Sequence, residues 1–386
     1  MSNLESARTF PRFSQAEMQR RSAAVRDVMA SAGLDALVLF ANRATPNEVL
    51  FLTNFQVGHE AALIFPAVGE PVLFVSYFNH LPNALRLSAI QDVRWLGDDA
   101  IATVGAELKS RKLERSALGV SGALTPGRHH ALLQLLDPAR MVDVGPRFSQ
   151  LRLVKSAEEL DLLRRAAELS DRAQAALESE ARIGMSEHEL VDLVERAYVP
   201  LGGSTHIHFI GTTAMESPDL CCPAQTPSGR RLTAGDVVIT ELSAQLHGYF
   251  GQILRTASVG APATAAYERM HEVARKAFEA VTGVLREGTM AADVLDAADL
   301  IAESGYTICD DLLHFAVGAY SPHLRTRQTM ASEPRFVFRK NMVVVVQPNV
   351  CTTDLRSGVQ VGQMVRITEV GVEQLHRLPM ALNRIA

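Results

Sequence analysis

The sequence predicts an α/β (α+β) chain of two domains, and three observations carry that expectation. At 386 residues it is too long for one typical hydrophobic core. Short apolar runs alternate with amphipathic helical stretches through the first ~150 residues, the pattern of a small α/β domain. A new helix start then appears at Ser156, where Glu159 follows at capping-box spacing.

Residues ~14–33 read as an amphipathic helix. The runs Asp35–Phe40, Ala61–Phe65 and Pro71–Ser76 are short, apolar and rich in β-branched or aromatic residues, so they read as buried strands. Met141–Val144 is a further strand. The domain boundary falls near residue 152, giving domains of 1–151 and 152–386. The second domain is expected to place helices at ~156–182, ~187–200, ~263–285 and ~290–304. Its strands are expected at ~204–210, ~237–242, ~248–258, ~342–347 and ~357–370.

Composition narrows the function classes. The chain is 47% hydrophobic and 21% charged, as in an ordinary globular protein. A net charge of −5 offers no basic field for nucleic acid or anionic membrane. Few aromatics leave no stacking platform for single strands. No apolar run reaches the ~18 residues of a membrane span, and the polar N-terminus has no signal-peptide core. Cys221, Cys222, Cys309 and Cys351 show no metal-type spacing and read as reduced thiols. The expected compartment is the cytoplasm.

Two segments carry the chemistry. Thr240–Thr256 contains Glu241, Gln252 and the pair Arg255-Thr256, and Met342–Asn349 contains Gln347-Pro348. With Lys155-Ser156, Gly248-Tyr249, His314 and the closing run Gly358–Gly371, they resemble, in order and spacing, the creatinase–prolidase–methionine aminopeptidase family. The resemblance implies a creatinase-like N-terminal α/β domain followed by a pita-bread domain. Metal-dependent members bind two cations with two Asp, one His and two Glu. Carried over position by position, that set is Glu241, Gln252, His314, Gln347 and Gly362. One carboxylate and one histidine remain, too little hard-oxygen charge for a dinuclear centre. The expectation is no metal and no cofactor.

Creatinase is the family's precedent for metal-free C–N hydrolysis, but the match to it is partial. Leu254 stands where creatinase has a carboxylate, and Gln347 stands in its Glu-Pro. Cys221-Cys222-Pro223-Ala224 replaces the loop of its catalytic histidine. Ectoine-ring hydrolases are a second precedent. The resemblance therefore implies a metal-independent hydrolase of a small amide-like or amidine C–N bond, creatinase-like in type but not creatinase. Two alternatives stay open: an inactive pita-bread binding module, and a Xaa-Pro peptidase-like protein.

Glu241, in the strand pattern Val237–Leu242, reads as a general base or nucleophile, or as a structural carboxylate paired with Arg255 or a nearby His. His314 resembles the family's His-x-x-Gly with one extra residue before Gly318. His323 follows at nine residues where relatives have seven. Both histidines are candidate proton shuttles or substrate-orienting groups, the alternative being core histidines. Gln252, Gln347 and Gln360 would suit a neutral polar ligand, since an amide both donates and accepts. His59 aligns with a substrate-carboxylate arginine of creatinase, in a loop that can cross into a partner's site. Cys222 is a candidate substrate contact, with no base identified for it. His206 and His208 alternate in a strand and so share one face, a candidate pocket wall. The expected partners are a small-molecule substrate and a second copy, a homodimer of about 84 kDa from a 42.0 kDa chain.

Overall fold

The computed structural model describes residues 10–45, 47–316, 322–330 and 335–386. Gly318 and the first nine residues lie outside them. The chain divides into two compact units, breaking between Arg152 and Leu153.

The first unit is built on six strands: β1 (Ala36–Asn42), β2 (Glu60–Pro66), β3 (Val72–Val75), β4 (Asp92–Trp95), β5 (Ala117–Gly122) and β6 (Arg140–Asp143). They pair in the order β4-β3-β2-β1-β5-β6, with β1 antiparallel to β2 and parallel to β5. Alternate residues of β1 feed two different cores. Leu37, Leu39 and Ala41 join one cluster, and Ala36, Val38 and Phe40 join the other. A strand buried on both faces needs an unbroken apolar run, which is how Ala36–Ala41 reads. The first cluster is closed by α1 (Gln15–Ala32) and α2 (Asn47–Thr53), the second by α3 (Ala100–Ser110) and α4 (Pro126–Leu135).

The second unit opens with α5 (Ala157–Glu180), whose capping box is formed in both directions between Ser156 and Glu159. A sheet follows, of β7 (Ser204–Ala214), β8 (Asp236–Leu246), β9 (Tyr249–Val259), β10 (Leu313–Phe315), β11 (His323–Leu324), β12 (Val343–Val346) and β13 (Gly362–Ile367), in the order β11-β10-β12-β13-β9-β8-β7. The long hairpin β8–β9 turns through His247 and Gly248, at φ of 52° and 80°. Two consecutive positive φ values in a two-residue loop match the right-handed strand twist.

The two faces of β8–β9 have different fates. Leu242, Ala244, Ile253 and Ala257 pack under α5 and α6 (Glu187–Arg196). Gly251 lets α5 lie directly on β9, since a Cβ there would sit 2.3 Å from the Ala167 nitrogen. On the other face, Val237 and Ile239 enter the core of α7 (Ala265–Val284) and α8 (Ala291–Ala298). Further along that same face, polar residues replace the apolar ones.

Two expectations are corrected. The strand expected at ~357–370 begins only at Gly362, because the Gln360 N–H is taken by Thr256 Oγ1 at 2.8 Å instead of a ladder carbonyl. The strand expected at ~204–210 continues to Ala214, since β8 is long enough to pair with it throughout. No helix among the described residues is long and apolar enough to cross a membrane.

Candidate active site

Register builds the site. Across β8–β9, Glu241 stands opposite Leu254 and Ser243 opposite Gln252, so all four side chains share one face. The next strands bring Gly362 beside Leu254 and Gln363 beside Val346, which delivers Gln347 from the end of β12 to the same place. His314 enters from β10, opposite Val345.

These groups form a hydrogen-bonded chain. Gln252 Nε2 donates to Glu241 Oε1 at 2.7 Å and to Gln347 Oε1 at 3.2 Å. Gln347 Nε2 donates to Asp310 Oδ2 at 3.1 Å, and Asn349 Nδ2 reaches the same oxygen at 3.3 Å. The neighbouring Asp311 is turned away into an ion pair with Arg325 at 2.9 Å. Glu241 is 7% exposed and Gln252 and Gln347 are each 2% exposed, so two amides bridge two carboxyl groups almost without water.

That environment moves the titrating groups. Burial, reinforced by the charge of Asp310, pushes the Glu241 carboxyl up to about 8. Burial also raises Asp310. The same cause acts oppositely on His314, whose imidazolium is disfavoured by burial more than Phe315 O, Asp310 and Asp311 favour it. His314 Nδ1 lies 3.4 Å from Phe315 O.

Residues 161–369, more than half of the chain, match the model of metallopeptidase family M24, and residues 21–154 match the creatinase/prolidase N-terminal domain. The chain belongs to metallopeptidase family M24. It is 25% identical over 373 residues to the uncharacterized peptidase YqhT of Bacillus subtilis, covering 93% of this chain and 98% of that one. It is 26% identical over 263 residues to a Xaa-Pro dipeptidase of Pyrococcus furiosus, covering 67% of this chain and 73% of the relative. Among solved structures, a prolidase of Thermococcus sibiricus superposes with a TM-score of 0.82 at 19% identity, over 97% of this chain and all of that one. The last likeness speaks for the fold.

The M24 fold implies a pair of metal ions, and the residues at the inherited positions do not fit one. Glu241 spends an oxygen on an amide N–H of Gln252. Gln347 aims its own N–H at Asp310. A Cβ at Gly362 would lie 2.5 Å from Val346 O and 2.8 Å from Gln347 Cα, so a carboxylate side chain has no room there unless the backbone moves. Two neutral amides and a glycine cannot bridge two divalent ions.

The other residues singled out from sequence fall in several places. His323 stands directly across the ladder from His314 but is exposed on the edge strand β11. Gln360 is 1% exposed, and its Oε1 has no partner among the described residues. Ser243 Oγ and Asn349 Oδ1 are likewise buried without one. Unsatisfied buried oxygens at the edge of such a group mark positions for water or a polar ligand. His59 belongs to the first unit, exposed, with Nδ1 3.3 Å from Ser76 Oγ and its ring against Tyr77. Cys222 lies with the other three cysteines and within the field of Asp310.

Three readings change. Glu241 is not paired with Arg255, which stands opposite Thr240 and points to the other face of the hairpin. His206 and His208 do not share a face, because a bulge between Thr205 and Ile207 inserts His206 as an extra residue. His206 stacks on Phe250 at 4.5 Å and its pKa is lowered by burial, with nearby His314 as the second cause, whereas His208 bonds Tyr198 Oη at 2.8 Å under the helices. Asp310 was missed as a site residue. Its signal was an acidic pair set directly before the apolar Leu312-Leu313.

Proposed function

We propose that this chain is a metal-independent hydrolase of a small-molecule C–N bond, amide-like or amidine, with Glu241 and His314 as its proton-transfer pair. The observation that supports this best is the opposite displacement of the two groups in one hydrogen-bonded site. A carboxyl raised to about 8 holds its proton at neutral pH, and an imidazole held below its ordinary range stays a free base. With its hydrogen on Nδ1 toward Phe315 O, His314 offers Nε2 to a water. That water attacks the substrate carbon and gives its proton to Nε2. Glu241 donates its proton to the departing nitrogen, the C–N bond breaks, and the imidazolium returns a proton to the carboxylate through solvent. The amides of Gln252 and Gln347 and the free oxygen of Gln360 recognise neutral polar groups of the substrate.

The test is a turnover screen of small amides, ureas, guanidines and cyclic amidines, read as released amine or ammonia, with and without EDTA. The expected hit turns over equally in both. Hydrolysis confined to Xaa-Pro dipeptides, restored by Mn²⁺ or Co²⁺ and lost in EDTA, would overturn the proposal and favour the activity named for the Pyrococcus relative.

The acid–base assignment also fixes a pH profile. Turnover needs Glu241 protonated and His314 neutral. kcat/KM should therefore fall as pH rises through about 8. It should fall again on the acid side, below the ordinary histidine range. A rate that climbs through pH 8 instead would make Glu241 a base or nucleophile, not an acid.

A further inference from the structure

All four cysteines of the chain, unremarkable in sequence, converge in the fold from three segments. Cys221 and Cys222 lie in the loop between β7 and β8, Cys309 follows the short strand Thr307–Ile308, and Cys351 ends the strand Val350–Cys351 that pairs with it. The sulfurs of Cys221, Cys309 and Cys351 lie within 4.8 Å of one another. Cys222 interacts with Cys221 and Cys309.

The backbone is shaped to allow this. Cys351 bridges to Gly358, and Leu220 bridges to Ser357, so the 221–222 loop is strapped across the end of that strand. A Cβ on Gly358 would sit 2.0 Å from the Cys221 carbonyl oxygen. The cysteine loop reaches its place only because residue 358 has no side chain.

We propose that Cys221, Cys222, Cys309 and Cys351 form a site for a thiophilic divalent d¹⁰ cation, of which Zn²⁺ is the archetype. Tetrahedral coordination at a Zn–S distance of ~2.3 Å places sulfurs ~3.8 Å apart, so Cys221, Cys309 and Cys351, already within 4.8 Å of one another, close on the ion by about 1 Å or less, and Cys222, outside that group of three, swings in as the fourth ligand. Binding releases the thiol protons to solvent, and four thiolates on one divalent ion leave a net charge of −2. The geometry also shows why an ion belongs there. The thiols' nearest chemical neighbours are one another, Cys351 Sγ also donates to Thr307 O at 3.5 Å, and the nearby charge is the carboxylate of Asp310. A divalent cation would supply the positive charge the cluster lacks. Cys351 is buried, Cys221 and Cys222 are half-buried, and Cys309 is exposed, so the ion enters past Cys309. Three segments tied to one ion is the work of a structural site.

The site is separate from the inherited metal positions, and the experiment separates the two. Protein purified anaerobically from zinc-supplemented cells, without chelator, should carry about one equivalent of zinc by elemental analysis. Co²⁺ exchange should give a thiolate-to-cobalt charge-transfer band in the near ultraviolet. Cys309→Ser, at an exposed position, should lose both while keeping its far-UV circular dichroism. Glu241→Gln should keep both. A strong chelator should lower the melting temperature of the wild type but not of Cys309→Ser. Zinc unchanged in Cys309→Ser, no zinc or cobalt band in the folded wild type, or recovery of these thiols as disulfides would each overturn the proposal.

Discussion

Glu241→Gln is expected to lose turnover by ~10²–10⁴-fold while making the protein more stable at neutral pH. The loss follows from removing the proton donor. Gln has nearly the shape of Glu and can still accept from Gln252 Nε2, now 2.7 Å from Glu241 Oε1, so the pocket survives. The gain follows from linkage. The folded carboxyl is pushed up to about 8 from the 4.5 of an unperturbed glutamate. The unfolded chain therefore gives up this proton first, and the contribution of Glu241 to stability is complete below pH ~4.5 and is lost as pH rises toward 8. At pH 7 the loss is on the order of 3 kcal/mol, and the glutamine variant avoids it. The variant should equal the wild type near pH 4 and exceed it at pH 7. The single tryptophan, Trp95, lies in the first unit, so hydrogen exchange at β8 and β9 is the suitable probe. Unchanged turnover would remove Glu241 from the mechanism. Equal stability at both pH values would show that its carboxyl is not held protonated. An inactive binding module would show the stability change with no activity to lose.

What the sequence made legible, and what it hid, follows physical lines. The helices expected at ~156–182 and ~263–285 appear as Ala157–Glu180 and Ala265–Val284, because caps and 3.6-residue periodicity are local signals. Glu241, Gln252 and Gln347 could be grouped beforehand because the family resemblance carries over position by position, and the strand ladders do bring them to one place. The groups that escaped lie where register fails. His206 is displaced by a bulge, which an alternating His-x-His pattern conceals. Asp310, Cys309 and Cys351 sit at two-residue strands too short to show any period, and Cys221 and Cys222 sit in a loop. The cysteines meet through contacts between distant segments, and the Gly358 approach that permits them leaves no mark in composition. The reading of Glu241 as a partner of Arg255 failed for the opposite reason. The register places these two on opposite faces, and strand alternation applied strictly would have excluded it.

Arg255 carries the second large effect, on stability. It is 1% exposed, and burial lowers its pKa to about 10, so it is still cationic at neutral pH. No carboxylate bonds its guanidinium among the described contacts. It donates instead to Leu254 O at 2.9 Å, Gly362 O at 2.8 Å, Leu378 O at 2.7 Å, Pro379 O at 3.1 Å and Gln363 Oε1 at 2.7 Å. These acceptors belong to β9, β13 and the chain's closing segment, so one side chain ties three backbone segments together. Arg255→Met keeps much of the volume but takes the guanidinium donor from five acceptors, three of them in buried hydrogen bonds and two in part-buried ones. Each unsatisfied group costs ~1–3 kcal/mol before relaxation, and removing a buried, fully bonded charge typically costs ~3–5 kcal/mol in all. Arg255→Lys keeps the charge with fewer donors in a different geometry, so it should lie between the two. The damage should also reach the site, because Gly362 O is one of the acceptors and Gly362 packs against Gln347. Chemical denaturation of the second unit, followed by exchange of the β9 amides, should place Arg255→Met ~3–5 kcal/mol below wild type. A loss under ~1 kcal/mol would mean that water or backbone relaxation satisfies those carbonyls, and that Arg255 is not what holds β13 and the closing segment to the hairpin.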